Sequence, residues 1–177
     1  MSIIVEDGTV VIGAESYITL AEADIYHRNR GMTTWDDMTD TEKEQALRRA
    51  TSYMVGRYRS SWKGGRININ QPLDWPRQGV STGDFTAMPH SYYAYFVPYN
   101  VVPIEVKNAC AELALRAGAG PMVDDIGQNI IQETVGPITT KYDPNSSQLI
   151  RYVQVDDMLS VYLKGGGNQA TVRLQRV

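Results

Sequence analysis

Cysteine and histidine are nearly absent from this 177-residue sequence. Cys110 is the single thiol, which excludes an internal disulfide, and His27 and His90 are the only histidines. These three residues stand at none of the spacings of a zinc finger, so no metal or cofactor site is assigned. A Walker-type loop and a paired-cysteine motif are missing as well, and no catalytic residue is assigned; the expectation is a protein that is not an enzyme. No apolar run approaches the roughly 20 residues that span a bilayer, so no membrane partner is expected. The N-terminal segment lacks a basic leader and carries Glu6 and Asp7 early, which reads against a signal peptide. A reducing, cytoplasmic origin fits these features. Net charge is also low, at -3, and gives no general pull toward nucleic acid or an acidic membrane surface.

What is present is enough apolar residue, 42%, for one domain with a real core. Ile3 to Ile12, apolar on either side of Asp7-Gly8, reads as a short extended arm or hairpin. Thr19 and Glu22 form a capping box that opens a first helix running to about Arg30, with Gly31 beyond its end. Thr39/Glu42 and Thr41/Glu44 are overlapping boxes for a second helix, whose stripe is Ala46, Leu47, Ala50, Tyr53, Met54 and Tyr58. Periodicity then fails from Ser60 to Asn100, a stretch punctuated by glycine and proline, which suggests a segment that wraps a surface or meets a partner. Pro103 starts a third helix with Val106, Ala109, Cys110, Leu113, Ala114 and Ala117 on one face. Ile130 to Tyr142 is strand-like around a Gly136-Pro137 turn. A last helix follows Pro144 to Ser147, with Leu149, Ile150, Val153, Leu159, Tyr162 and Leu163 as its apolar set. The fold class is therefore mainly α: a small helical bundle with a β-hairpin and extended N- and C-terminal arms. Residues 1–164 form the domain with a long irregular insertion at 60–100, and 165–177 an extended tail.

The isolated candidates for chemistry have plainer readings. Cys110 lies on an apolar helix face, where a core thiol is expected. His27 sits near a helix end, where the dipole favours a cation, and both histidines are read as structural or solvated. Asp36-Asp37 and Asp124-Asp125 are neighbours in sequence and do not converge on one site. Charge pattern is more informative. Between Lys43 and Arg77 there are eight basic residues and two acidic ones, a balance of +6, so the rest of the chain carries -9. Trp62 and Trp75 are interleaved with these cations. Such a mixture can bind single-stranded nucleic acid by charge and stacking; alternatively the tryptophans cap the core and the arginines face solvent or an acidic neighbour. In Trp75-Pro76-Arg77 the proline makes the tryptophan extended, which would fix its ring inward while the arginine points outward. The interface candidates are Arg57, Arg59, Trp62, Lys63, Arg66, Trp75, Arg77, Tyr92, Tyr93, Tyr95, Val172 and Leu174.

Several of these pieces occur in the order of a known family. They are Ser16 to Asp24, Trp35 with Lys43 to Tyr58, Gln71 to Arg77, Val102-Pro103 with Val106 to Leu115, and Glu133 to Tyr142. Over most of residues 10–145 the chain resembles the head–tail adaptor (connector or head completion) proteins of tailed bacteriophages, many of which carry the label DnaT-like single-stranded-DNA-binding protein. The resemblance implies a structural virion protein of the phage neck, assembled in the host bacterial cytoplasm. It would form a homo-oligomeric ring of twelve copies that docks on the portal protein, meets a tail terminator or nozzle protein, and continues the channel for genomic double-stranded DNA. The sequence departs from that family in the length of Ser81 to Asn100 and in the tail from Gly165. An alternating tail can add to a neighbour's sheet edge, and a basic segment in an acidic chain can make head-to-tail contacts. The DnaT-like label implies a replication accessory instead. It ranks second here, as a name taken over through distant similarity, and requires Arg57, Arg59, Trp62, Lys63 and Arg66 to form one exposed groove.

Overall fold

Two capping boxes set the frame of the molecule. A computed structural model describes residues 2–82, 96–123, 132–135, 138–141 and 150–165. Helix α1 (Leu20–Arg28) starts where the Thr19 hydroxyl accepts from the Glu22 amide at 3.1 Å and the Thr19 amide donates to Glu22 Oε2 at 2.9 Å. The same reciprocal pair at Thr39 and Glu42 opens α3 (Asp40–Tyr58). The overlapping box at Thr41 is not used; Glu44 instead meets Arg48 and accepts from the Ile3 amide. Between them lies α2 (Thr33–Asp36), a single turn with no apolar period to reveal it, which buries Trp35 against His27 with ring centroids 4.5 Å apart. Trp35 Nε1 donates to Asp24 Oδ1 at 2.7 Å, so the indole is fully buried without an orphan donor.

Helix α4 (Ile104–Ala119) begins after Pro103 and buries the face that its spacing implies, from Val106 to Ala117. It packs on α3, where Ala46, Ala50, Ala109 and Ala114 are fully buried and let the two backbones approach closely. Thr51 Oγ1 and Cys110 Sγ meet at 3.3 Å between these helices, and burial raises the thiol pKa, as suits a core residue. The last helix is shorter than its apolar set implies. Helix α5 (Val153–Leu159) and a 3-10 turn (Ser160–Tyr162) bury only Val155, Leu159 and Tyr162, while Ile150 and Val153 are exposed. The expected start near Pro144 lies outside the described residues.

Strands are few. β1 (Gly65–Arg66) pairs antiparallel with β2 (Arg77–Gln78), placing Arg66 opposite Arg77. β3 (Gln132–Val135) and β4 (Ile138–Lys141) form the hairpin expected around Gly136-Pro137. The N-terminal segment is not the hairpin suggested by Asp7-Gly8. A single parallel bridge joins Val5 to Ser16, and the chain between them loops around the buried Glu6 carboxylate. That carboxylate accepts from the amides of Gly8, Val10 and Val11 at 2.9–3.0 Å, which satisfies donors that a hairpin would have paired across strands. Within the irregular insertion residues 83–95, and in the tail residues 166–177, lie outside the described residues. Among the described residues no helix is long and apolar enough to cross a membrane.

Two outcomes follow. Thr39→Ala lowers the unfolding free energy by about 1 kcal/mol, whereas Thr41→Ala changes it by less than about 0.5 kcal/mol, measured by urea denaturation. His27 is fully buried, not a solvated cation at the helix end. Its Nε2 lies 3.1 Å from the Ala111 carbonyl, and burial holds the imidazole below its ordinary value of 6.5. The unfolded chain therefore takes up the proton first as pH falls. Stability from this site is complete above about pH 6.5 and declines as pH drops below it toward the lower folded value, which a pH series of denaturation midpoints checks.

Candidate nucleic-acid interface

The loop after α3 turns back on itself at Trp75. Trp62 and Trp75 are both fully buried and meet edge to face, with centroids 5.7 Å apart. Tyr58 flanks Trp62 at 5.8 Å and Tyr162 flanks Trp75 at 5.6 Å, so four aromatic rings form a floor between the end of α3 and the turn after α5. Trp62 is therefore no part of an exposed groove, and the tryptophans cap the core.

Arg77 corrects a second expectation, because it points inward. Its Nε donates to the Lys63 carbonyl at 2.8 Å, one terminal nitrogen to the Asp74 carbonyl at 3.1 Å and the other to the Gly64 carbonyl at 2.9 Å. The turn has three carbonyls without strand partners, and a guanidinium is the side chain with enough rigid donors to serve all three. Burial pulls the pKa of Arg77 down from its ordinary value.

Outside this floor the cations gather. Lys63 Nζ donates to the carbonyls of Val161 at 2.7 Å and Ser81 at 3.2 Å. Arg66 donates to the Gln71 carbonyl at 3.2 Å. The Lys164 amide donates to the Ser61 carbonyl at 2.7 Å, which brings a cation from the far end of the sequence beside Lys63. Carbonyl bonds orient the Lys63 and Arg66 side chains without neutralising them. Carboxylates lie here too: Asp74 is fully buried and bound by Arg59 Nε at 2.9 Å, and the floor's Tyr58 and Tyr162 hydroxyls donate to Asp156 and Glu105, each at 2.7 Å. Arg57 is exposed on the last turn of α3, where it meets Tyr53. At the other end of α3, by contrast, Lys43 pairs with Asp24 and Arg48 with Glu15, so their charge is offset within the fold. A groove of about 520 Å³ lies along α3, lined by Arg48, Ser52, Gly56 and Pro72.

Sequence reasoning missed two residues at this surface. Lys164 carried no local signal, since only a long-range bond places it. Phe96 pairs with Ser81 in an antiparallel bridge and is about half exposed; it ends the aromatic run in which Tyr92, Tyr93 and Tyr95 were chosen. Those tyrosines, with Val172 and Leu174, lie outside the described residues. The sequence reading also passed over Gly79-Val-Ser-Thr-Gly83, which has the spelling of a nucleophile elbow. Ser81 sits in the bridge to Phe96, and among the described residues no histidine bonds to its hydroxyl.

A family model described as "Putative DnaT-like ssDNA binding protein" matches residues 1–177. No curated protein and no solved structure matches the chain. The family match overturns the connector reading: a ring joining portal to tail was expected, whereas the matched description is single-stranded-DNA binding, which had been ranked second. Nothing in the match carries a portal, a tail partner or a ring, and the viral-neck vocabulary goes with them.

Arg59 and Asp74 should behave as a coupled pair. Arg59→Ala leaves a buried carboxylate without its cation and lowers stability by about 1–3 kcal/mol. In an Asp74→Asn background the same change costs markedly less, which a double-mutant cycle in urea measures.

Proposed function

We propose that this chain, which belongs to the DnaT-like single-stranded-DNA-binding protein family, acts as a replication accessory that binds single-stranded DNA and does no covalent chemistry on it. The observation that carries the reading is that Lys63 and Arg66, beside the aromatic floor, bond through their side chains to carbonyls rather than to carboxylates, while the exposed Lys164 is held next to them by its backbone amide. Cations held in this way keep their full charge for phosphates and lose little freedom on binding. Arg57 extends the surface along α3. Arg59 contributes less, because Asp74 offsets its charge. The low net charge of the chain is no obstacle, since the nearby Asp74, Asp156 and Glu105 are bound to Arg59, Tyr58 and Tyr162, and the pairs around Lys43 lie at the other end of the helix. From Lys43, near α1, to Tyr58 the helix rises by about 22 Å, more than a Debye length of about 8 Å at physiological salt.

Fluorescence anisotropy with a labelled oligothymidine over a salt series tests this. The slope of log affinity against log salt is expected to become shallower by about 1.4 in Arg66→Gln/Lys164→Gln, at about 0.7 per phosphate contact on a single strand. Arg28→Gln, at the end of α1, leaves the slope unchanged. Affinity that ignores salt, or a double variant with the parent's slope, would sink the proposal.

A further inference from the structure

We infer that Phe96 is a base-stacking residue, and that it gives the basic surface its preference for unpaired over duplex DNA. The inference rests on the single-stranded-DNA reading and adds to it a contact that the cations cannot supply. Phosphates are presented by single and double strands alike, so a cluster of lysine and arginine discriminates weakly between them. An open base face is presented only by an unpaired strand, and an aromatic ring beside a cationic track is what takes it.

Among the described residues the fold hides most of the rings that sequence offers for this purpose. All three tryptophans are buried, as are Tyr17, Tyr26 and Tyr58. Tyr53 and Tyr152 are partly buried against one another, with centroids 5.3 Å apart. Among the described residues the exposed aromatics are Phe96, at 48% exposure, and Tyr99, at 65%. A single exposed apolar side chain is ordinary in itself. Phe96 is set apart by its position. It stands directly opposite Ser81, and the Ser81 carbonyl is the one that accepts from Lys63 Nζ at 3.2 Å. Opposed residues in an antiparallel bridge lie about 5 Å apart between Cα atoms, so the Ser81 backbone links the Phe96 position to the Lys63 ammonium at one edge of the cluster.

The ring is also held by its backbone. The Val97 amide donates to the Val80 carbonyl at 2.9 Å, and Val97 packs against the core while Val80 is fully buried. Alternation along the extended segment then turns Phe96 away from the core. A platform fixed in this way loses little conformational entropy when a base settles on it. Phenylalanine has no polar group to offer, so the contact is indifferent to base identity, as stacking is.

The experiment compares a labelled oligothymidine with a labelled duplex for the parent chain, Phe96→Ala and Phe96→Trp. Phe96→Ala is expected to weaken single-strand binding about tenfold, with the salt slope and the duplex affinity unchanged. Phe96→Trp is expected to keep the parent's single-strand affinity, and its added emission to be quenched on binding, since the three native tryptophans are buried. If the parent binds and Phe96→Ala binds equally well, this inference alone is overturned. A parent chain that binds neither form overturns the functional reading and the inference together.

Discussion

The three bonds from the Arg77 guanidinium to the carbonyls of Lys63, Gly64 and Asp74 hold the loop around the aromatic floor in shape. They tie the loop that leaves α3 to the turn that follows Trp75, and so set the two-residue register of β1 and β2. With that register fixed, Trp75 reaches Trp62 across the floor, and Asp74 is carried into the interior, where Arg59 meets it. The carbonyls would otherwise be polar groups without partners beside an apolar cluster, a costly arrangement. An inward arginine is thus the condition for an outward surface of Lys63, Arg66 and Lys164. The surplus of basic residues in one segment is partly structural. Some of its cations build the site, and the remainder face solvent.

Charge is divided along α3 by the same logic. Lys43 is buried against Asp24, and its ammonium lies 5.7 Å from the Trp35 ring centroid, so it serves the α1–α2 corner. Arg48 joins the N-terminal loop through Glu15. Glu22 binds Lys107 across to α4, and Glu112 binds Arg116 on its own helix. These pairs occupy the end of the molecule that holds α1, where cations and carboxylates come in comparable number. At the opposite end Asp74 and Asp156 are paired with Arg59 and Arg151, while Lys63 and Arg66 bond to carbonyls. A chain of formal charge -3 still leaves Lys63 and Arg66 without a carboxylate partner among the described residues, because the carboxylates near them are bound to Arg59, Tyr58 and Tyr162.

Helices were legible in the sequence wherever a local rule governs them. The boxes at Thr19 and Thr39 and the stripe from Val106 to Ala117 depend on residues within a turn or two, and the structure follows them. What was not legible depends on partners far away in the chain. Glu6 looks like a surface carboxylate until the loop to Ser16 closes over it. Arg77 looks like an outward anchor until the carbonyls of Lys63 and Gly64 are known to need donors. Trp35 has no period to announce α2, because one turn is too short to show one. The ordered resemblance in sequence pointed to a family of which DNA binding was only a label; the whole-chain family match moves that label to the front.

The burial of the tryptophans decides what kind of binding surface this can be. Had Trp62 faced solvent among the arginines, one motif would have supplied both charge and stacking. The floor instead takes both indoles, and rigidity of the cationic loop is the result, since Lys63 and Lys164 hang from backbone that pairs around Trp62 and Leu163. Stacking then has to come from a different segment, and the segment that crosses Ser81 brings Phe96 to the edge of the cluster. Division of labour between a buried aromatic floor and an exposed aromatic rim has a mechanical advantage over a single mixed patch. The ring that meets a base can move or be replaced without loosening the residues that hold the phosphates, so affinity and strand preference are separable properties of one surface.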